Sequence, residues 1–229
     1  MIDWSDIETV LLDMDGTLLD LHFDNFFWLT HLPARYAEIH GRDALEAARQ
    51  LTERFEQERG SLKWYCLDYW SEQLDLDVAL LKREVAHLIS LRPYAREFLE
   101  SLRANQKECW LVTNAHADSV RLKMECVVLE PWLDRIIISH DLGAPKESPA
   151  FWERLQAAHS FDPARALFID DTEAVLTAAA GFGIGHLLTL AQPDSKQARR
   201  DGLVFRQFHH FDEIMPPARR SGGRSHDQQ

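Results

Sequence analysis

Short apolar runs alternate with helix-period stretches along most of this chain, and that alternation restricts the fold more than any other feature. Thr9–Asp13, Glu108–Thr113, Arg135–Ser139, Ala166–Asp170 and His186–Leu190 each have an apolar centre. Runs this short and this apolar read as strands buried on both faces. Between them, Pro93–Asn105, Ala117–Leu129, Ser148–His159 and Thr172–Gly181 carry apolar residues at helical spacing. Strand–helix alternation predicts an α/β fold, a doubly wound parallel sheet with helices on both faces. The run Gly181-Phe182-Gly183-Ile184-Gly185 breaks the last helix from the strand that follows.

One interval departs from the pattern. Between the first strand and Pro93 there is no convincing strand, but Asp43–Arg59, Lys63–Gln73 and Asp77–Ser90 each read as helix. A helical insert directly after the first strand reads as a second, smaller domain lying over the carboxyl ends of the strands, like a lid. Residues 1–20 and 93–217 are therefore expected to form the α/β core and 21–92 the helical cap. Residues 218–229, polar and rich in Gly and Ser, read as a disordered tail.

The first strand ends in Asp13-Met14-Asp15-Gly16-Thr17. Alternate residues of a strand share a face, which sets Asp13 and Asp15 roughly 6–7 Å apart on one side. At the carboxyl end of a parallel strand they enter a ligand crevice. There one acid can attack phosphorus while the other handles a proton, with a divalent cation held close by. Three further segments end strands or lie in loops: Leu111-Val112-Thr113-Asn114, Lys146 after Gly143-Ala144-Pro145, and Phe168-Ile169-Asp170-Asp171-Thr172.

Composition narrows the partners. The 229 residues carry a formal net charge of −12, and no Lys/Arg stripe offers a footing for nucleic acid or an anionic membrane. An anionic substrate then needs local positive charge, from a metal or a few placed cations. The three cysteines, Cys66, Cys109 and Cys126, are odd in number and widely spaced, which reads as reduced thiols. Residues Met1–Asp6 lack the basic and apolar segments of a signal peptide. These features predict a cytoplasmic protein.

Taken in order, Asp-x-Asp-Gly-Thr, a strand-end Thr, a loop Lys and a strand-end Asp-Asp resemble the four motifs of the haloacid dehalogenase (HAD) superfamily. The resemblance implies a Rossmannoid core and, for the helical insert, a C1 cap. It implies that Asp13 attacks phosphorus to form an aspartyl-phosphate and that Asp15 serves as general acid, then general base. It implies Mg²⁺ as cofactor, with Asp13, Asp15, Asp170 and Asp171 as the metal-site acids and the carbonyl of Met14 as a further ligand. Thr113, Asn114 and Lys146 would bind the phosphoryl oxygens, Thr113 and Lys146 as part of the catalytic set. Dehalogenases of the superfamily usually lack an acid at the position of Asp15, because halide leaves without a proton and an alkoxide does not. A phosphatase is the expectation. Glu147 stands where many members have proline, which implies a looser loop around Lys146.

Phe23-Asp24-Asn25-Phe26-Phe27-Trp28 and Trp64-Tyr65-Cys66-Leu67-Asp68-Tyr69-Trp70 look like the bacterial GMP/IMP nucleotidase branch, as do Thr113-Asn114-Ala115-His116 and Pro145-Lys146-Glu147. This resemblance implies purine nucleoside monophosphates as substrates. The core motifs leave other small esters open, such as a sugar phosphate or phosphoglycolate, and a binding protein without catalysis stands as the contrasting class. Trp64, Tyr65, Tyr69 and Trp70, at helical spacing, read as helix core or as a platform for a base. His116 reads as a cap or surface group before it reads as a substrate contact.

Overall fold

Parallel strands buried on both faces need apolar centres, and the segments that pair here have them, with polar or charged residues mainly at their ends. The computed structural model describes residues 2–218. Strand β1 spans Thr9–Leu12, and six helices follow: α1 His22–Phe26, α2 Leu32–His40, α3 Ala44–Glu58, α4 Leu62–Tyr65, α5 Leu67–Leu74 and α6 Val78–Glu84. The chain then runs α7 Ala95–Ala104, β2 Glu108–Thr113, α8 Ala117–Cys126, β3 Arg135–Ile138, α9 Ser139–Leu142, α10 Pro149–Ala158, β4 Ala166–Ile169, α11 Glu173–Phe182, β5 His186–Leu190 and β6 Gln207–Phe208.

The six strands form one parallel sheet in the order β3-β2-β1-β4-β5-β6. The chain builds outward from β1 in one direction through β2 and β3, then returns to build β4, β5 and β6 on the other side. That reversal beside β1 opens the crevice in which α/β proteins bind ligands. Val10 and Leu12 face one layer with Leu111, Leu167 and Ile169, closed by Phe98, Leu99 and Leu102 of α7 and by Val120 and Leu122 of α8. Leu11 faces the opposite layer with Trp110, Val112 and Phe168, closed by Phe151, Trp152 and Leu155 of α10 and by Val175 and Leu176 of α11. The first layer continues into the insert through Phe23, Phe27, Phe55 and Trp70.

The five expected strands are present, and β6 is an addition: two residues are too few to carry a period. Helix α3 starts where Asp43 accepts from the Glu46 amide at 2.9 Å, the stop-and-start chemistry expected of an N-cap. The stretch Lys63–Gln73 is two helices, not one. Cys66 takes an extended conformation, and its Sγ caps the second helix by accepting from Tyr69 N–H. Residues 22–40, expected within the helical cap but given no helix of their own, form α1, a π-helical turn at Phe27–His31, and α2, with Pro33 in its first turn. Proline breaks a helix interior but is tolerated in the first turn. Among the described residues no helix is long and apolar enough to cross a membrane. Of the expected tail 218–229, residues 219–229 lie outside the described residues.

Candidate active site

Beyond Leu12 the pairing of β1 with β4 extends one step, as the Asp13 amide donates to the Ile169 carbonyl at 3.0 Å. The chain then turns tightly. Gly16 N–H donates to Leu19 O at 2.9 Å, and Leu19 N–H returns to Met14 O at 2.8 Å. Gly16 has φ +83°, and a Cβ there would lie 2.7 Å from Cγ of Asp171. Only glycine meets both demands, and its missing side chain lets the loop after β4 press against the loop after β1. The Met14 carbonyl, expected as a metal ligand, accepts from Leu19 N–H in this turn with one of its two lone pairs.

That packing brings carboxylate oxygens of Asp13, Asp170 and Asp171 within 4.8 Å of one another. Lys146 enters from its loop and spends its ammonium on three acceptors: Asp13 Oδ1 at 2.6 Å, Asp170 Oδ2 at 2.6 Å and Val112 O at 3.0 Å. Burial pushes the Asp13 carboxyl well above the usual carboxylate range against the pull of Lys146, and Asp170 and Asp171 add to the rise. Burial and then the charge of Asp170 raise Asp171 to about 7. For Lys146 burial works against the charge, but Asp13 and Asp170 outweigh it and hold the ammonium above its ordinary value. Arg200 steadies the Asp171 backbone, donating to its carbonyl at 2.7 Å.

Two buried acids and a half-buried one against one lysine leave an excess of hard oxygen donors, and the elevated carboxyls mark a site that lacks enough positive charge. A small divalent cation such as Mg²⁺ suits this donor set, so the residues fit the metal that the sequence implies. The carboxylate of Asp15, also expected among the metal acids, is directed elsewhere: its Oδ1 pairs with Lys123 Nζ at 2.6 Å.

A second charge system therefore begins at Asp15. Lys123 of α8 also pairs with Asp24 Oδ2 at 2.7 Å, and Asp24 Oδ1 accepts from Lys82 Nζ of α6 at 2.6 Å. Lys82 and Lys123 are 2% and 1% exposed, a burial that lysine tolerates only with such partners. Phe23, Phe27 and Trp28 pack around the Lys82 ammonium at 5.1, 5.1 and 5.5 Å. Burial tends to raise Asp24, but Lys123 and Lys82 overcome it and hold Asp24 well below its ordinary value. Asp15 moves the other way, raised by burial and by Asp24 with Lys123 opposing. Nothing in the sequence pointed to Lys82 or Lys123. Both sit in helices among other charged residues, and only tertiary packing turns them inward.

Thr113 ends β2 buried, its Oγ1 accepting from Ala115 N–H at 3.0 Å, which leaves its hydroxyl proton to donate. Asn114 spends its side chain on the lysine loop: Oδ1 accepts from Lys146 N–H at 2.9 Å, and Nδ2 donates to Glu147 Oε2 at 2.9 Å. Glu147 Oε1 accepts from the Tyr65 hydroxyl of α4 at 2.6 Å. The looser loop expected from glutamate in place of proline is not found, because this carboxylate ties the loop to β2 on one side and to the insert on the other. His116 caps α8, its Nδ1 accepting from Asp118 N–H, and its Nε2 lies 3.6 Å from Asp68 of α5.

The acids and their lysines border one cavity of about 370 Å³ between the sheet's carboxyl edge and the insert. Asp13, Asp15, Thr113, Asn114, Lys146, Asp170 and Asp171 all line it, joined from the insert by Trp28, Phe55, Trp64 and Tyr65. Of the aromatics singled out in the sequence, Trp64 and Tyr65 reach the cavity. Trp70 is core, edge-on to Phe55 at 4.9 Å, and the Tyr69 hydroxyl donates to Glu58.

Comparison with known proteins agrees with this geometry. The model of the haloacid dehalogenase-like hydrolases matches residues 7–183. The GMP/IMP nucleotidases YrfG of Escherichia coli strain K12 and of Shigella flexneri are each 43% identical over 215 residues, 94% of this chain and 97% of theirs. Among solved structures, a HAD phosphatase from Thermococcus onnurineus superposes with a TM-score of 0.73 at 21% identity, covering 91% of this chain and 96% of that one. Fold, motif order and relatives converge: the chain is an enzyme of the haloacid dehalogenase-like hydrolase family.

Proposed function

We propose that this hydrolase is a Mg²⁺-dependent 5′-nucleotidase that releases phosphate from GMP and IMP, with residues 21–92 acting as a cap over a core of 1–20 and 93–217. The observation that carries the reading is the pairing of Asp13 with Lys146 at 2.6 Å at the floor of a cavity whose insert wall is aromatic. The identity to the two nucleotidases runs over nearly the whole chain, insert included, and a cavity of this volume suits a nucleotide-sized ligand.

Asp13 attacks phosphorus; its oxygen–phosphorus bond forms as the bond to the ester oxygen breaks. Lys146 favours the ionised form of Asp13 against its burial and sets its positive charge beside the phosphoryl oxygens, to which the Thr113 hydroxyl donates. Asn114 serves by holding the Lys146 backbone. Asp15, with its pKa raised, carries a proton for the departing alkoxide, and the resulting carboxylate then takes a proton from the water that cleaves the aspartyl-phosphate. Asp13, Asp170 and Asp171 would hold Mg²⁺, whose charge offsets that of the phosphoryl oxygens. Asp15, turned to Lys123, stays outside that group and is left for the proton.

The test is phosphate release by purified protein from nucleotides, sugar phosphates and phosphoglycolate, with Mg²⁺ and with EDTA. Metal-dependent release concentrated on GMP and IMP is expected. Release concentrated on sugar phosphates would keep the active site and refute the substrate assignment.

A further inference from the structure

Most charged side chains lining the cavity are bound into the buried systems around the reacting carboxylates, on Lys146 or on Lys123 and Lys82. One acid–base pair stands apart. Glu56 and Arg59, at the C-terminal end of α3, line the cavity from the insert and pair with each other one turn apart, their side chains 53% and 67% exposed. The Arg59 guanidinium lies over the Trp64 ring at 5.9 Å. Trp64 stands edge-on to Phe55 at 6.0 Å, and Phe55 edge-on to Trp28 at 5.4 Å. The pair thus sits at the exposed rim of an aromatic wall.

We propose that Glu56 and Arg59 determine base specificity by reading the edge of a 6-oxopurine: Arg59 donates to O6, and Glu56 accepts from N1–H. The proposal rests on the nucleotidase reading and adds the residues that select the base. Guanine and hypoxanthine both present an acceptor at C6 beside a donor at N1. Adenine presents the reverse, so a carboxylate would face its N1 lone pair and a guanidinium its amino group. In guanine the 2-amino group gives Glu56 a second donor.

Position and energetics favour this role. The base is the part of a nucleotide farthest from the phosphorus, and Trp28, Phe55 and Trp64 offer it flat apolar surface. An exposed ion pair contributes little to a protein's stability, so Glu56 and Arg59 exchange partners at small cost. Charge-assisted bonds to a stacked base, shielded from water, are stronger.

The test compares kcat/KM for GMP, IMP, AMP and base-free ribose 5-phosphate in the wild type, Glu56→Gln and Arg59→Leu. A glutamine amide presents donor or acceptor alike, so Glu56→Gln is expected to lower the IMP-to-AMP ratio roughly 10-fold or more, and Arg59→Leu to lower GMP and IMP by a similar factor. The ribose 5-phosphate value should follow neither drop. An unchanged IMP-to-AMP ratio, or GMP and ribose 5-phosphate falling together, would overturn the proposal. A wild type that cleaves ribose 5-phosphate as well as IMP would refute the nucleotidase reading itself, a result visible before any variant is made.

Discussion

Asp171 is the residue whose chemistry is most exposed to experiment. Burial and the neighbouring Asp170 raise it to about 7, against about 3.9 for an unfolded aspartate. A carboxyl with a raised folded-state pKa holds its proton more tightly folded than unfolded. Its protonated form therefore favours the fold at low pH, and that advantage drains away as pH climbs from about 4 to about 7. A cation bound to the same oxygens replaces the proton. The thermal midpoint of metal-free protein should accordingly fall from pH 6 to pH 8, and added Mg²⁺ should raise it more at pH 8 than at pH 6, read by scanning calorimetry. An equal Mg²⁺ gain at both values would contradict the assignment of Asp171 to the metal. At this scale the sequence was informative where motif order applied. Asp13, Thr113, Lys146, Asp170 and Asp171 all meet at one cavity. It was silent on Lys82, Lys123 and Arg200, because a charged residue on a helix or in a loop has no local signature that separates burial from solvation.

At the scale of elements, α4 touches the catalytic loop through a relay: the Tyr65 hydroxyl to Glu147, Glu147 to Asn114, and Asn114 to the Lys146 amide. Tyr65→Phe removes the first link and leaves one Glu147 oxygen without that donor. A loss of about 1 kcal/mol in stability is expected from one net hydrogen bond. A fall of kcat of about 3- to 10-fold, with the metal requirement unchanged, is expected from the slacker loop. Wild-type kcat in this variant would show that the relay does not reach Lys146. The strands were legible because each is a short run with an apolar centre, and α3 because Asp43 caps an amphipathic repeat. The segment 22–40 was not, since the π-helical turn at Phe27–His31 interrupts the helical period between α1 and α2. The split at Cys66 was hidden for a different reason: the Trp70 indole N–H donates to the Trp64 carbonyl, a contact that no helical period encodes.

At the scale of the whole molecule, the Asp15–Lys123–Asp24–Lys82 chain joins the loop after β1, α8 and two helices of the insert. Removing one partner of a buried pair leaves an uncompensated charge. Lys123→Met should cost about 3–5 kcal/mol in denaturant unfolding and should depress turnover by freeing Asp15; a cost under about 1 kcal/mol would mean that the pair is solvated in solution.

The central claim is that Asp13 carries the phosphoryl group while Asp15 manages the proton. It is tested most directly by the pre-steady-state reaction of Asp15→Asn with p-nitrophenyl phosphate and Mg²⁺. That leaving group departs without a proton, so the first transfer should proceed while water attack is crippled. The account predicts a burst of nitrophenol of about one per active site and a phosphoryl group on the Asp13 peptide by mass spectrometry, both abolished by adding Asp13→Asn. Steady release with no burst and no label on Asp13, or a burst that survives Asp13→Asn, would contradict it.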